Sequence, residues 1–241
     1  LILAEKREAA NRIALALDEK GRPSHFQEGS VPYYESINKG KTLRIVPAIG
    51  HLYGISPSKK SYSYPVLDVR WAPAFEFNPR LKHTRRWIDA IAKLAEGASE
   101  YISATDYDIE GEVIGCTILR FACGGKERIA KRMIFSTLAS TDLWKAFQNL
   151  ALHIDFGLAE AGETRHIVDF LWGINISRAL TTALKSLGKG FTNLSSGRVQ
   201  GPALGFVVER EKEISCFVPT PYYTISAVLE VQGHLYRAEY D

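Results

Sequence analysis

The chain has 241 residues, of which 46% are hydrophobic and 24% are charged, and its formal net charge is +3 at pH 7. These values are typical of a folded globular protein and argue against disorder, and so small a charge does not by itself indicate nucleic-acid binding. The three cysteines form no CxxC motif or Cys/His cluster and no apolar run reaches the ~18 residues of a membrane helix, so we expect a soluble, intracellular protein without disulfides, zinc site or membrane partner.

The first two thirds of the chain alternate short apolar runs with helical patterns, which is typical of a mostly parallel sheet covered by helices. Strands are predicted over residues 1–4, about 42–49, 100–105 and 129–136, and helices over about 6–19, 84–98 and 110–122. The segment 53–82 is rich in Tyr, Ser and Pro and has no clean period, so we expect it to leave the sheet.

The pattern changes in the last third of the chain. After a helix that starts near Thr141, apolar residues recur every three or four positions from about Leu158, which indicates one long amphipathic helix or two helices broken at Gly173. A further helix is predicted over residues 196–215, followed by a hairpin that turns near Gln232-Gly233. We interpret the chain as a piece of a longer protein with three parts: an α/β domain (1–150), a helical segment (151–215) and the start of a β-containing domain (216–241).

An acidic sequence, Asp106-Tyr107-Asp108-Ile109-Glu110-Gly111-Glu112, follows the predicted strand at 100–105. In an open α/β sheet, ligands bind outside the carboxyl ends of the strands. Two bare carboxylates about 4 Å apart repel by roughly 4 kcal/mol at an effective dielectric of 20, so a convergent set needs a cation. Carboxylate oxygens suit Mg²⁺. The alternative is that these acids only cap the next helix, where Asp and Glu are favoured.

Glu5-Lys6 stands in the same position after the first predicted strand. If the two strands are parallel neighbours, Glu5 lies near Asp106 and Asp108. A Glu after the first strand and a DxD after a later one resemble the Toprim domain, the catalytic domain shared by topoisomerases and some primases and nucleases. This resemblance implies a Rossmann-like, mostly parallel sheet with helices on both faces, and it leaves several chemistries open.

The block Ser195-Ser196-Gly197-Arg198-Val199-Gln200-Gly201-Pro202 opens the helix predicted at 196–215. Helix N-terminal N–H groups and a guanidinium suit a phosphate, and a Gln can reach a base edge or sugar. An ordinary capped helix with exposed polar residues explains the same block. Preceded by RxxxD and Gx(3)S patterns, however, it resembles the type IA DNA topoisomerase family, and Arg132-Met133-Ile134-Phe135 resembles that family's RxxF element.

The resemblance implies a role for each matching position. Glu5 would lie beside the scissile phosphate as acid or metal ligand, and Lys6 would stabilise the charge of that phosphate. Asp106, Asp108 and Glu110, together with Glu5, would hold Mg²⁺. Single-stranded DNA would be positioned by four polar residues, namely Arg165, Ser195, Arg198 and Gln200. Three further candidates have no assigned role: His51, which belongs to a GH pair of the family, Glu112 and Arg132.

The implied parent enzyme breaks one strand of single-stranded or negatively supercoiled DNA through a 5′-phosphotyrosine, passes a strand and reseals without ATP, in the nucleoid. Residues 104–112 look most like archaeal members. Ile109, His166 and Phe170 stand where many or some relatives have Arg. No Tyr here matches the family's YxRT motif, so the nucleophile should lie outside this chain, which should not cleave DNA alone. A Toprim nuclease or primase and a non-catalytic DNA-binding module remain the alternatives, and no protein partner is indicated.

Overall fold

The central feature of the computed structural model, which describes residues 1–59, 62, 64–188 and 193–240, is a six-stranded sheet in the order β2-β3-β4-β1-β7-β8. The strands are β1 (Ile2–Ala4), β2 (Ser24–Glu28), β3 (Val31–Asn38), β4 (Lys41–Pro47), β5 (Tyr53–Pro57), β6 (Val69–Pro73), β7 (Ile102–Ala104), β8 (Lys131–Arg132), β9 (Ser226–Val231) and β10 (His234–Glu239). The helices are α1 (Arg7–Leu17), α2 (Ala74–Phe77), α3 (Thr84–Ala95), α4 (Ile109–Thr117), α5 (Ser140–Gln148), α6 (Phe156–Ser186) and α7 (Gln200–Ser215).

Strands β4, β1, β7 and β8 pair in parallel, and β3 and β2 extend this sheet in antiparallel fashion. Because successive side chains of a strand point to opposite faces, Leu3 enters one core with residues of α3 and α4. Ile2 and Ala4 enter the other core with residues of α1 and α5. Each fully buried Leu or Ile contributes about 1.5–3 kcal/mol. The predicted fold class, a mostly parallel α/β sheet with helices on both faces, is confirmed.

The hairpin β2–β3 was not predicted from the sequence. Its outer strand β2 is polar and almost wholly exposed, as edge strands commonly are, so the segment has no apolar run to reveal it. The strand predicted at 129–136 is reduced to β8, because Arg132 also pairs with Ala151 and the chain then leaves the sheet. The segment 53–82 does leave the sheet, and its strands β5 and β6 form a separate antiparallel pair.

The last third contains one long helix rather than two, since α6 runs through Gly173 without interruption. The predicted hairpin is present as β9 and β10, which pair antiparallel. By their internal contacts the residues form two units, Leu1–Gly197 and Arg198–Asp241. In the second unit every described residue is exposed except Gly205, which is half-buried. The division into domains 1–150, 151–215 and 216–241 stays a prediction.

A helix that crosses a bilayer must be both long and apolar. Among the residues that the structure describes, none of the helices combines the necessary length with sufficient apolar character.

Candidate active site

Strands β1 and β7 bring the two predicted acidic positions together. They pair in parallel with Ala4 opposite Ala104, so the residues that follow them emerge at the same edge of the sheet. There the backbone N–H of Asp106 donates to Oε2 of Glu5 at 3.4 Å. The expectation that the two strands end side by side is therefore confirmed.

Lys6 lies between the two carboxylates. Its Nζ is 2.8 Å from Oδ2 of Asp106 and 3.3 Å from Oε1 of Glu5. The hydrogen bond to Asp106 and then that to Glu5 raise the pKa of Lys6, so its ammonium stays charged. The Lys6 side chain is 65% exposed, which leaves its ammonium accessible to an incoming anion. One cation here compensates two acids in contact with solvent.

Asp108 has the capping role that was considered as the alternative. It is the N-cap residue of α4, and its Oδ1 accepts a hydrogen bond from the N–H of Gly111 at 2.7 Å. Such a cap contributes about 1 kcal/mol to helix stability. A carboxylate offers about four lone-pair sites, so capping by one oxygen does not exclude a ligand role.

Arg132 and Glu112 form a buried ion pair beneath the acidic residues. Both side chains are 1% exposed, and Nε of Arg132 is 2.7 Å from Oε2 of Glu112. The same guanidinium donates to the carbonyls of Ser103 and Asp106 at 3.2 and 2.9 Å, and Oε1 of Glu112 accepts the N–H of Asp155 at 2.7 Å. These two residues, uncertain candidates from sequence, therefore position the backbone at Asp106 and do not face solvent.

A cleft of about 540 Å³ opens beside these acids. Lys6, Asp106 and Asp108 line one side of it, and the segment containing Ser136 and Thr137 lines another. This segment directly follows the predicted RxxF element. A cation, exposed carboxylates and hydroxyl groups thus share one open cavity.

Glu110 faces a different group of residues. Its Oε2 lies 2.8 Å from Nε2 of His166 and 3.0 Å from Nε2 of His51, and its Oε1 lies 3.4 Å from Nη1 of Arg165. Partial burial alone would raise the pKa of Glu110, but the hydrogen bond from His166 and the nearby positive groups outweigh it and lower that pKa. Burial, followed by the neighbouring His166, lowers the pKa of His51.

The four predicted metal ligands therefore do not form one compact group. Three potential metal ligands do converge elsewhere. Among the described residues, the group whose ligand atoms all lie within 4.8 Å of one another consists of His51, Glu110 and His166. Glu5 and Asp106 adjoin each other through Lys6. The roles assigned to these residues from sequence stay predictions.

The predicted DNA-contacting residues lie in two places. Arg165 is in α6, half-exposed, and pairs with Glu110 and more loosely with Asp169. Ser195 is exposed, and so are Arg198 and Gln200 in the second unit.

The helix predicted at 196–215 begins only at Gln200. The backbone of Ser196 is engaged elsewhere: its N–H donates to Oγ of Ser177 at 2.9 Å, and its carbonyl accepts from the same hydroxyl at 3.3 Å. This pairing with a residue 19 positions earlier engages the N–H and carbonyl of Ser196 outside a helix. The residues from Ser195 to Val199 thus precede the helix.

Sequence reasoning missed His166 as part of a site. It was noticed only as a replacement for an Arg of some relatives, and it is 56 residues from Glu110 along the chain. The spacing Gly162-x3-His166 contains a signal, because Gly162 and His166 share one helix face. A Cβ on Gly162 would lie 2.3 Å from Val113, so α6 approaches α4 at that turn.

Comparison with known proteins agrees with this arrangement. Residues 1–138 match the Toprim domain family, and residues 153–240 match a DNA topoisomerase family. DNA topoisomerase 1 of Pyrococcus horikoshii is 47% identical over the whole chain, which covers 35% of that protein. DNA topoisomerase 3 of Vibrio cholerae is 30% identical over 97% of the chain, which covers 36% of it.

A solved structure extends the likeness to three dimensions. The structure of full-length topoisomerase I from Thermotoga maritima superposes on this chain with a TM-score of 0.64 and 25% sequence identity. The match covers all of this chain and 34% of the Thermotoga chain. The chain therefore spans about a third of the length of these relatives. The predicted archaeal likeness is confirmed by the 47% identity to the Pyrococcus protein.

Proposed function

This chain belongs to the Toprim family and, within it, to the type IA DNA topoisomerases, and we propose that its parent protein breaks, passes and rejoins single strands of DNA without ATP. The observation that supports this proposal is the sheet edge at which the parallel strands β1 and β7 both end. Glu5, Lys6 and Asp106 meet there beside an open cleft. A phosphodiester needs a cation and polar donors in an accessible cavity, and this edge supplies both.

The acids at this edge fit a hard divalent ion. Their donor atoms are all carboxylate oxygens, and Lys6 shows that a positive charge is accommodated between Glu5 and Asp106. Of the predicted ligands, Asp106 and Asp108, with Glu5, lie at this edge and would hold Mg²⁺, whereas Glu110 faces His51 and His166. When bound, Mg²⁺ would neutralise charge at the phosphate during strand rejoining.

The reaction proposed is a transesterification. A tyrosine oxygen of the parent protein forms a bond to phosphorus and the bond from phosphorus to the 3′ oxygen breaks, which leaves a 5′-phosphotyrosine and a 3′-hydroxyl. Glu5 would protonate the departing 3′ oxygen or bind metal, and Lys6 would stabilise the phosphate charge. Because the covalent phosphotyrosine ester conserves the energy of the broken phosphodiester bond, the strand can be resealed by the reverse attack of the 3′-hydroxyl.

DNA would be positioned by Arg165, Ser195, Arg198 and Gln200, which contact phosphates and one base or sugar edge. All four are exposed or half-exposed. The proposed substrate is single-stranded or negatively supercoiled DNA, and we expect the parent protein to act on it in the nucleoid.

The test uses the full-length parent with end-labelled single-stranded oligonucleotides, quenched with denaturant. A 3′-labelled oligonucleotide should leave its label covalently on the protein, and a 5′-labelled one should release a shortened strand. Asp106→Asn together with Asp108→Asn should slow Mg²⁺-dependent rejoining so that the adduct persists, whereas Asp89→Asn, an exposed control, should rejoin normally.

Other outcomes point to the alternatives. Cleavage to free ends without an adduct would reject the topoisomerase proposal in favour of a Toprim nuclease using the same carboxylates. Loss of stability in the Asp106 variant with unchanged Mg²⁺ dependence would indicate that these acids are structural and that the chain is a DNA-binding module.

A further inference from the structure

Two imidazoles and one carboxylate converge on the side of the first unit formed by α4 and α6. The Nε2 atoms of His51 and His166 lie 3.0 and 2.8 Å from the same oxygen of Glu110, and all three ligand atoms lie within 4.8 Å of one another. In tetrahedral zinc sites, bonds of about 2.0–2.1 Å separate neighbouring ligand atoms by about 3.3 Å. The separations from the Glu110 oxygen to the two imidazole nitrogens are within a few tenths of an ångström of that spacing.

The backbone fixes these three side chains from different elements. Glu110 lies in the first turn of α4, and the close approach at Gly162 brings His166 against it one turn further along α6. His51 follows Ile49 and Gly50, whose φ angles are +59° and +94°. A β-branched residue in the left-handed region is a rare, costly conformation that persists where the surroundings require it.

We propose that His51, Glu110 and His166 bind one borderline divalent transition ion, of which Zn²⁺ is the type, through two imidazole nitrogens and a carboxylate oxygen. Imidazole ligands select such ions over Mg²⁺. A set of two His and one Glu with an open position is an established zinc arrangement. The site uses no cysteine, which is why the cysteine spacing gave no sign of it.

The charged groups nearest the site are Glu110 and Arg165. The Glu110 carboxylate gives the donor set one negative charge, and Arg165, 3.4 Å from the other Glu110 oxygen, orients that carboxylate while repelling a cation. The side chains are 33%, 40% and 25% exposed for His51, Glu110 and His166, so water can complete the coordination.

The outer shell of the site is incomplete, which sets its expected strength. Nδ1 of His51 is buried and has no hydrogen-bond partner among the described residues. Metal-binding histidines usually donate this second N–H, and loss of such a partner weakens binding ~10–100-fold. We therefore expect an exchangeable site rather than a permanent structural one.

The proposal is tested with the 241-residue chain, metal-free, titrated with Zn²⁺ by calorimetry and with Co²⁺ by visible absorption. We expect one equivalent of Zn²⁺ and intense Co²⁺ d–d bands that Zn²⁺ removes and excess Mg²⁺ does not. His51→Gln, His166→Gln and Glu110→Gln should each lower the Zn²⁺ association constant at least ~10-fold, since loss of a direct ligand exceeds loss of an outer-shell partner.

His83→Gln, at an exposed histidine before α3, is the matched control and should bind like the unmodified chain. Circular dichroism should confirm that every variant is folded, and the partial exposure of all three positions favours that result. Absence of stoichiometric Zn²⁺ binding, binding by the three variants as tight as by the unmodified chain, or displacement by Mg²⁺ would each overturn the proposal. None of these readouts depends on DNA cleavage, so the proposed function can fail independently.

Discussion

The acidic turn at residues 106–112 and the GRVQ segment at residues 197–200 are the two sequence blocks with the clearest chemical meaning, and the fold holds them in opposite ways. In the acidic turn, Glu112 is 1% exposed and paired with Arg132, which also binds the carbonyl of Asp106. In the GRVQ segment Arg198, Val199 and Gln200 are exposed. Residues 198–240 contain no buried side chain among those described.

This difference fits the two kinds of role proposed for these residues. The carboxylates of the acidic turn must be held within a fraction of an ångström, and a buried outer shell of charged hydrogen bonds does so. Residues that contact a DNA backbone need accessibility more than rigid placement, because phosphate contacts position the nucleic acid without reading its sequence. Stability should therefore depend strongly on the buried ion pair between Glu112 and Arg132 and weakly on the exposed pairs in residues 198–240.

The largest effect is expected for Glu112→Ala, which leaves the Arg132 guanidinium buried and unpaired. Removing one partner of a buried pair costs about 3–5 kcal/mol, so the urea midpoint of unfolding should fall steeply. The control is Glu213→Ala in α7, where the pair with Arg210 is 74% and 64% exposed. That substitution should cost about 0–1 kcal/mol. Equal losses for the two variants would contradict the contrast between the regions.

Much of this architecture could be predicted from the sequence. The apolar runs that became β1, β4 and β7 lie in the interior of the sheet, where burial on both faces removes polar alternation and makes strands recognisable. The acids after β1 and β7 follow from the same pattern. By contrast, the edge strand β2 is polar, and no local pattern marks it.

The contacts across the fold could not be predicted. Glu112 and Arg132 were uncertain site candidates, because nothing local in the sequence distinguishes a buried charge from an exposed one. The turn of Glu110 towards His51 and His166 depends on how α6 packs on α4, and that contact joins residues 56 positions apart. The late start of α7 depends on Ser177, in a different helix.

A smaller effect is expected at the helix caps. Asp155 caps α6, and its Oδ1 accepts from the N–H of Leu158 at 3.0 Å; Val199, before α7, makes no side-chain cap bond. Asp155→Ala should lower the free energy of unfolding by about 1 kcal/mol at neutral pH. Val199→Ala, at an exposed position, should change it by less than about 0.5 kcal/mol.

The cap at Asp155 also has a defined pH dependence. The hydrogen bond from Leu158 lowers the pKa of Asp155 in the folded chain. The stabilisation is therefore complete above the unfolded pKa of about 3.9 and is lost as pH falls through the lower folded value. The difference between the unmodified chain and Asp155→Ala should vanish in strong acid. A difference that persists there would show that the substitution acts through packing.

The smallest effect on stability is expected for substitution of an exposed cysteine. The reactivity of the three thiols also tests directly the difference in burial between the two regions. Burial raises the pKa of both Cys116 and Cys123 to about 12, whereas Cys216 at the end of α7 is exposed. Because the thiolate is the reactive species, iodoacetamide at pH 8 should modify Cys216 first. The other two thiols should react only after unfolding in urea. Cys216→Ser should abolish the fast phase and change the free energy of unfolding by less than about 0.5 kcal/mol. Rapid modification of Cys116 would instead mean that α4 opens locally, and the acidic turn at its start would then lack the rigidity that its buried ion pair is expected to provide.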